Sequence, residues 1–145
     1  MIQRLEEDEY FPAPDFTLLS AEGEAVSLSD YDGYVVFVNF WASWCPPCRI
    51  DMRHLQTLYE TYADQGFAVL AISVDKPFSP AAPDFAKQLG VTFPILEWTT
   101  RVNKAYGEFW RVPVTFVINR EGLVVEILSG THQLSVLRTA VLRLL

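Results

Sequence analysis

Cysteine and histidine are scarce in this 145-residue chain, with two of each. A structural zinc site needs four ligands, and His54 and His132 stand at spacings from the cysteines that match no familiar zinc pattern. Positive charge is also short: 11 basic residues face 18 acidic ones, for a formal net charge of −7. That balance argues against nucleic acid or an anionic membrane surface as partner, since both reward Lys and Arg. No apolar run reaches the length of a membrane span. The first eight residues carry Glu6, Glu7 and Asp8 and lack the apolar stretch of a secretory signal. As written, the chain is expected to be cytoplasmic; if a signal or anchor has been removed, a periplasmic or other extracytoplasmic location is the alternative. Internal repeats, low-complexity tracts and a second-domain linker are missing too. One domain over residues 11–145 is expected, behind a flexible leader over residues 1–10.

What is present is apolar bulk: half of the residues are hydrophobic, enough for a core without disulfide staples. Residues 16–19 and 25–28, around the turn at Gly23, read as a β-hairpin. Residues 34–41 and 67–74 are near-continuous apolar runs, the pattern of strands buried on both faces of a sheet with parallel neighbours. Between them Met52, Leu55, Leu58, Tyr59 and Tyr62 recur at three- and four-residue intervals, an amphipathic helix stopped by Gly66. A shorter helix is expected over 81–89, an extended or edge piece over 93–96 and a helical segment over 100–106. A second hairpin follows over 114–118 and 123–128, and a last helix from about 133 to 145. The order implies an α/β fold, a mixed central sheet with helices on both faces.

The chemistry sits between the first long strand and the first long helix. Trp44-Cys45-Pro46-Pro47-Cys48 joins the only two cysteines at a spacing that fits the first turn of a helix. A disulfide there closes so short a loop that it constrains the unfolded chain little, so exchange chemistry explains the pair better than stabilisation. Cys45, at the helix start, is expected to be the exposed nucleophile, its thiolate favoured by unpaired N–H groups and the helix dipole. Cys48, one turn inside, would resolve the mixed disulfide. Pro46 and Pro47 stiffen the turn. Trp41 is read as core, and Trp44 as a residue that shields the site and touches partners. Asp51 falls on the Cys48 face of the helix, where it either accepts a proton or simply favours the early turns. His54 falls off the apolar stripe and is expected to be a solvated surface residue. His132 is given no role, and Glu97 and Trp98 are expected in a loop near the site.

The segment Val38-Asn39-Phe40-Trp41-Ala42-Ser43-Trp44-Cys45-Pro46-Pro47-Cys48-Arg49 resembles the active-site segment of thioredoxin-fold proteins of the TlpA/ResA type. Three further segments match in order: Ala13-Pro14-Asp15-Phe16-Thr17-Leu18, Val91-Thr92-Phe93-Pro94-Ile95 and Val112-Pro113-Val114-Thr115-Phe116-Val117-Ile118. The resemblance implies a thioredoxin-like fold with an N-terminal β-hairpin and a central insertion. It also implies a cis bond before Pro113, presenting the Val112 backbone to an extended partner peptide, and an acidic residue, here Asp51, that assists proton transfer at the buried thiol. Two departures stand out: Arg53 replaces the proline that often follows the acidic-Met pair, so the helix should be less kinked, and Val114 replaces the commoner Thr.

The activity so implied is thiol–disulfide exchange with partner proteins, as a reductant rather than an oxidant. It needs no cofactor or metal beyond the Cys45–Cys48 disulfide, and it calls for protein disulfide or dithiol substrates and an upstream redox partner. A monomer is expected. Two other classes stay open: a peroxiredoxin-like peroxidase, weakened by Ala42 where those enzymes carry Thr or Ser, and a module delivering a metal or haem on its two thiolates.

Overall fold

Seven consecutive residues from Val35 to Trp41 are all buried, and they form the strand around which the other elements assemble. A computed structural model describes residues 1–76, 79–108 and 111–145. Along the chain lie β1 (Ile2–Arg4), β2 (Phe11–Pro12), β3 (Thr17–Leu19), β4 (Ala25–Ser27) and β5 (Val35–Trp41). There follow α1 (Pro46–Tyr62), β6 (Phe67–Ser73), α2 (Ala81–Gln88), β7 (Ile95–Glu97) and α3 (Thr100–Ala105). The last elements are β8 (Val114–Ile118), β9 (Leu123–Ser129) and α4 (Leu134–Leu142).

The main sheet has the order β1-β9-β8-β5-β6-β7, with β2 also paired to β9. β5 and β6 are parallel, as are β6 and β7, whereas β8 and β9 run antiparallel. Central β5 and β6 are covered on both faces, which is why both read as unbroken apolar runs rather than as alternation. One face packs Phe37, Trp41 and Val69 against Cys48, Met52 and Leu55 of α1, Ala82 and Ala86 of α2, and Leu137 and Val141 of α4. The other packs Val36, Val38 and Phe40 against Phe16 and Leu18 beneath the β3–β4 hairpin and Val102 and Tyr106 at α3. This is the mixed sheet with helices on both faces that the element order implied.

α1 runs unbroken for 17 residues, consistent with Arg53 in place of a proline. A short 3-10 turn at Ala63–Gln65 follows, and Gly66 ends it at φ 93°, a left-handed conformation that glycine adopts freely. A Cβ on Gly66 would meet Arg120 Nη1 at 2.8 Å, and Arg120 is occupied there, donating to the carbonyls of Gln65 and Gly33.

The leader is corrected. Within residues 1–10, Ile2, Gln3 and Arg4 pair with Leu128, Ile127 and Glu126 of β9, and Glu7–Glu9 form a 3-10 turn. The outer edge of β9 presents backbone groups that need partners, and β1 and β2 supply them. All three β1 residues are exposed, so no hydrophobic alternation announced the strand. Glu126, buried in β9, also lies 3.6 Å from Arg4 Nε and 3.5 Å from Arg143 Nη1. The last helix is shorter than expected, with Gln133 at its N-cap position.

Candidate active site

α1 begins with two prolines, which cost nothing there because the first-turn N–H groups have no helical acceptor. Cys45 takes the N-cap position in extended conformation. The first N–H that the prolines leave is that of Cys48, which donates to Cys45 Sγ at 3.3 Å. The two sulfurs are joined in a disulfide, with the Cα atoms 5.3 Å apart. In the reduced protein the same N–H and the positive end of the helix favour Cys45 as thiolate.

Cys45 Sγ lies 3.6 Å from the carbonyl oxygen of Val112, and the Val112–Pro113 peptide is cis. The expectation of an exposed nucleophile is corrected in this oxidised form: Cys45 is 5% exposed and Cys48 fully buried. The cap position packs the first sulfur against the Val112 backbone and its bonded neighbour, so only a small facet reaches solvent. Trp44 is 66% exposed, so it offers contact surface rather than a shield; Pro46 and Pro47 are exposed beside it. Trp41 is core, as its place in the apolar run implied.

Asp51 is 2% exposed, one turn beyond Cys48 on the buried face of α1. Burial pushes its carboxyl up to about 7, against a smaller downward pull from the His132 N–H, which donates to Oδ1 at 3.3 Å. His132 is the residue that spacing missed. It stands in the loop between β9 and α4, which grips the start of α1 at three points. The Thr131 hydroxyl donates to the Pro47 carbonyl at 3.2 Å, the His132 N–H meets Asp51, and His54 Nδ1 lies 3.2 Å from the His132 carbonyl. His54 is therefore half-buried and tied to that loop, not simply solvated. No one-dimensional pattern could join residues 51 and 132; only the return of β9 to the same end of the sheet does so.

Asn39, fully buried on the α1 side of β5, donates to Thr115 Oγ1 at 2.9 Å and leaves its Oδ1 without a partner. Its amide does not act as an acid or base, whereas Asp51 is an ionisable group buried on the Cys48 face of α1. Glu97 closes β7 opposite Ser73, at the end of the sheet where the site lies, whereas Trp98 packs in the core layer on the far face. Ahead of Cys45, Ser43 is bonded to Asp75 just past β6, a second long-range contact that no spacing announced. Among the described residues no group of three or more His, Cys, Asp or Glu is placed to hold a metal ion, and no helix is long and apolar enough to cross a membrane.

The family model described as AhpC/TSA matches residues 11–127. The thiol-disulfide oxidoreductase ResA of Geobacillus thermodenitrificans is 42% identical over 120 residues, covering 82% of this chain and 68% of that protein. ResA of Bacillus subtilis is 38% identical over 120 residues, covering 82% and 66%. Among solved structures, a thiol:disulfide interchange protein of the thioredoxin family from Chlorobium tepidum superposes with a TM-score of 0.88 at 26% identity, over 96% of this chain and 99% of that one. A DsbF homologue from Corynebacterium diphtheriae gives 0.88 at 25% identity, over 99% and 92%.

Proposed function

The chain belongs to the AhpC/TSA family and is a protein thiol–disulfide oxidoreductase, and on that premise we propose that it works as a reductant of partner-protein disulfides. The observation that carries the reading is the Cys45–Cys48 pair at the α1 cap, where the Cys48 N–H already points at the Cys45 sulfur. Reduced Cys45 attacks one sulfur of a partner disulfide as thiolate. A Cys45–partner disulfide forms and the partner's other sulfur leaves as thiolate. The Cys48 proton passes to the Asp51 carboxylate, directly or through one water. Cys48 then attacks Cys45 Sγ, the mixed disulfide breaks, and the partner departs as a dithiol once protonated. Two electrons have moved from the Cys45–Cys48 pair to the partner, and an upstream dithiol must return them.

Binding is assigned to the surface around that sulfur. Trp44, Pro46 and Pro47 offer exposed rings, and the Val112 backbone before Pro113 lies within reach of an extended segment crossing Cys45. Main-chain pairing of this kind recognises an unfolded or looped partner without demanding a particular sequence.

The roles of the two sulfurs are separable by trapping. Reduced Cys48→Ser should hold an unfolded substrate whose disulfide is intact as a stable mixed disulfide at Cys45, seen as a dithiothreitol-sensitive adduct on a non-reducing gel. Cys45→Ser should trap none. Adducts forming equally on both variants would refute the assignment of the nucleophile.

A further inference from the structure

Residues 42–45 join β5 to α1, and the position of the reactive sulfur depends on how firmly they are held. Within the turn the Cys45 N–H donates to the Ala42 carbonyl at 3.3 Å, a long bond. The stronger restraint comes from outside it. The Asp75 carboxylate, 9% exposed, accepts the Ser43 N–H on Oδ2 at 3.0 Å and the Ser43 hydroxyl on Oδ1 at 2.5 Å. Oδ2 also accepts the Ser73 hydroxyl at 2.6 Å, and Ser73 Oγ accepts the Asp75 N–H at 3.0 Å. A buried carboxylate is costly to desolvate unless donors satisfy it, and among the described residues two of the three donors to it come from the residue two before the nucleophile. Apolar packing would tie β6 to this turn at lower cost but without direction. The bidentate grip instead fixes both the backbone plane and the side-chain rotamer of Ser43.

We infer that Asp75 is a positioning residue: by clamping Ser43 to the end of β6 it holds Cys45 at the α1 cap, where the Cys48 N–H meets its sulfur. This inference rests on Cys45 being the attacking thiol. Released from Asp75, the turn samples orientations in which that N–H no longer reaches Sγ, and the thiolate loses a donor whose strength falls steeply with distance and angle.

Asparagine can reproduce the clamp. Its carbonyl oxygen can accept from the Ser43 N–H and the Ser73 hydroxyl, while its NH2 donates to Ser43 Oγ. The test is the second-order rate at which the reduced protein reacts with glutathione disulfide, a probe too small to depend on the protein-docking surface. The thiolate of Cys45 attacks one glutathione sulfur and Cys48 completes the internal disulfide, releasing two glutathione thiols. Asp75→Ala and Ser43→Ala should each slow this reaction roughly five- to tenfold. The double variant should be no slower than Asp75→Ala alone, because Asp75→Ala already removes the one contact that Ser43→Ala removes. Asp75→Asn should restore the rate to within about twofold of the parent. Ser43→Ala removes one side-chain bond and keeps the carboxylate, so it tests the clamp even if Asp75→Ala does not fold. Unchanged rates, multiplying effects in the double variant, or an Asp75→Asn rate as low as that of Asp75→Ala would each overturn the inference. Peptide mapping of the first thiol alkylated in the parent protein separates a failure of the premise: Cys48 modified before Cys45 would refute the nucleophile and the clamp together.

Discussion

At the residue scale the most consequential side chain after the cysteines is Asp51. In the oxidised fold its carboxyl keeps its proton up to about pH 7, while in the unfolded chain it ionises near 3.8. Between those values the unfolded state binds fewer protons than the folded one, so stability falls as pH rises from about 4 to 7 and does not change further on either side. Asp51→Asn removes that slope. The variant should match the oxidised parent near pH 3 and exceed it at pH 8 by up to about 4 kcal/mol in urea denaturation. The same group has the opposite effect on turnover. Its anion, able to accept the Cys48 proton, accumulates as pH passes 7, so resolution of the mixed disulfide should quicken through that range. Asp51→Asn should slow resolution roughly tenfold to a hundredfold and abolish the rise near pH 7. A stabilised variant with an unaltered pH–rate profile would leave Asp51 a buried carboxyl without a part in the chemistry.

At the element scale the two core layers divide the work. α1, α2 and α4 cover the face that holds the cysteines, and α3 with the β3–β4 hairpin covers the other. α3 has six residues and depends on its cap, where Thr99 Oγ1 accepts the Val102 N–H at 3.1 Å. Thr99→Ala should cost about 1 kcal/mol in equilibrium unfolding and leave the exchange rate with glutathione disulfide unchanged. A fall in exchange rate would show that the layers are coupled. The same division explains what the sequence made legible. β5, β6 and α1 announce themselves because burial imposes unbroken apolar runs and a helical stripe, and the turn between them carries the cysteines. β1 does not, because its side chains are exposed and its reason for existing is the open edge of β9. The Asp51–His132 and Ser43–Asp75 contacts are equally silent. Each is a hydrogen bond between distant positions, and a carboxylate on a helix or after a strand has the same appearance whether it holds a backbone or faces water. The low exposure of Cys45 is silent for a related reason: the helix start predicts reactivity, but the Val112 backbone that covers the sulfur arrives from a distant part of the chain.

At the scale of the whole molecule, the fold brings three loops to the end of the sheet where β5 stops. The first carries the dithiol, the second the Val112–Pro113 backbone, and the third the His132 N–H on Asp51. Asp75 anchors the first of these from the end of β6. A rigid sheet beneath such loops lets the sulfurs change partners while the rest of the molecule keeps its packing, as exchange between two redox states requires. Direction is then a matter of relative stability: the spread across this fold is roughly 150 mV, or about 7 kcal/mol, between a reductant and an oxidant.

The midpoint potential of the Cys45–Cys48 pair, from equilibration against graded ratios of reduced and oxidised dithiothreitol with the thiols read by alkylation, bears most directly on the account. A reductant requires a value toward the thioredoxin end, roughly −270 mV. A value near roughly −120 mV would contradict it by making the protein a donor of disulfides, and failure of the pair to close into a disulfide would contradict the exchange mechanism itself.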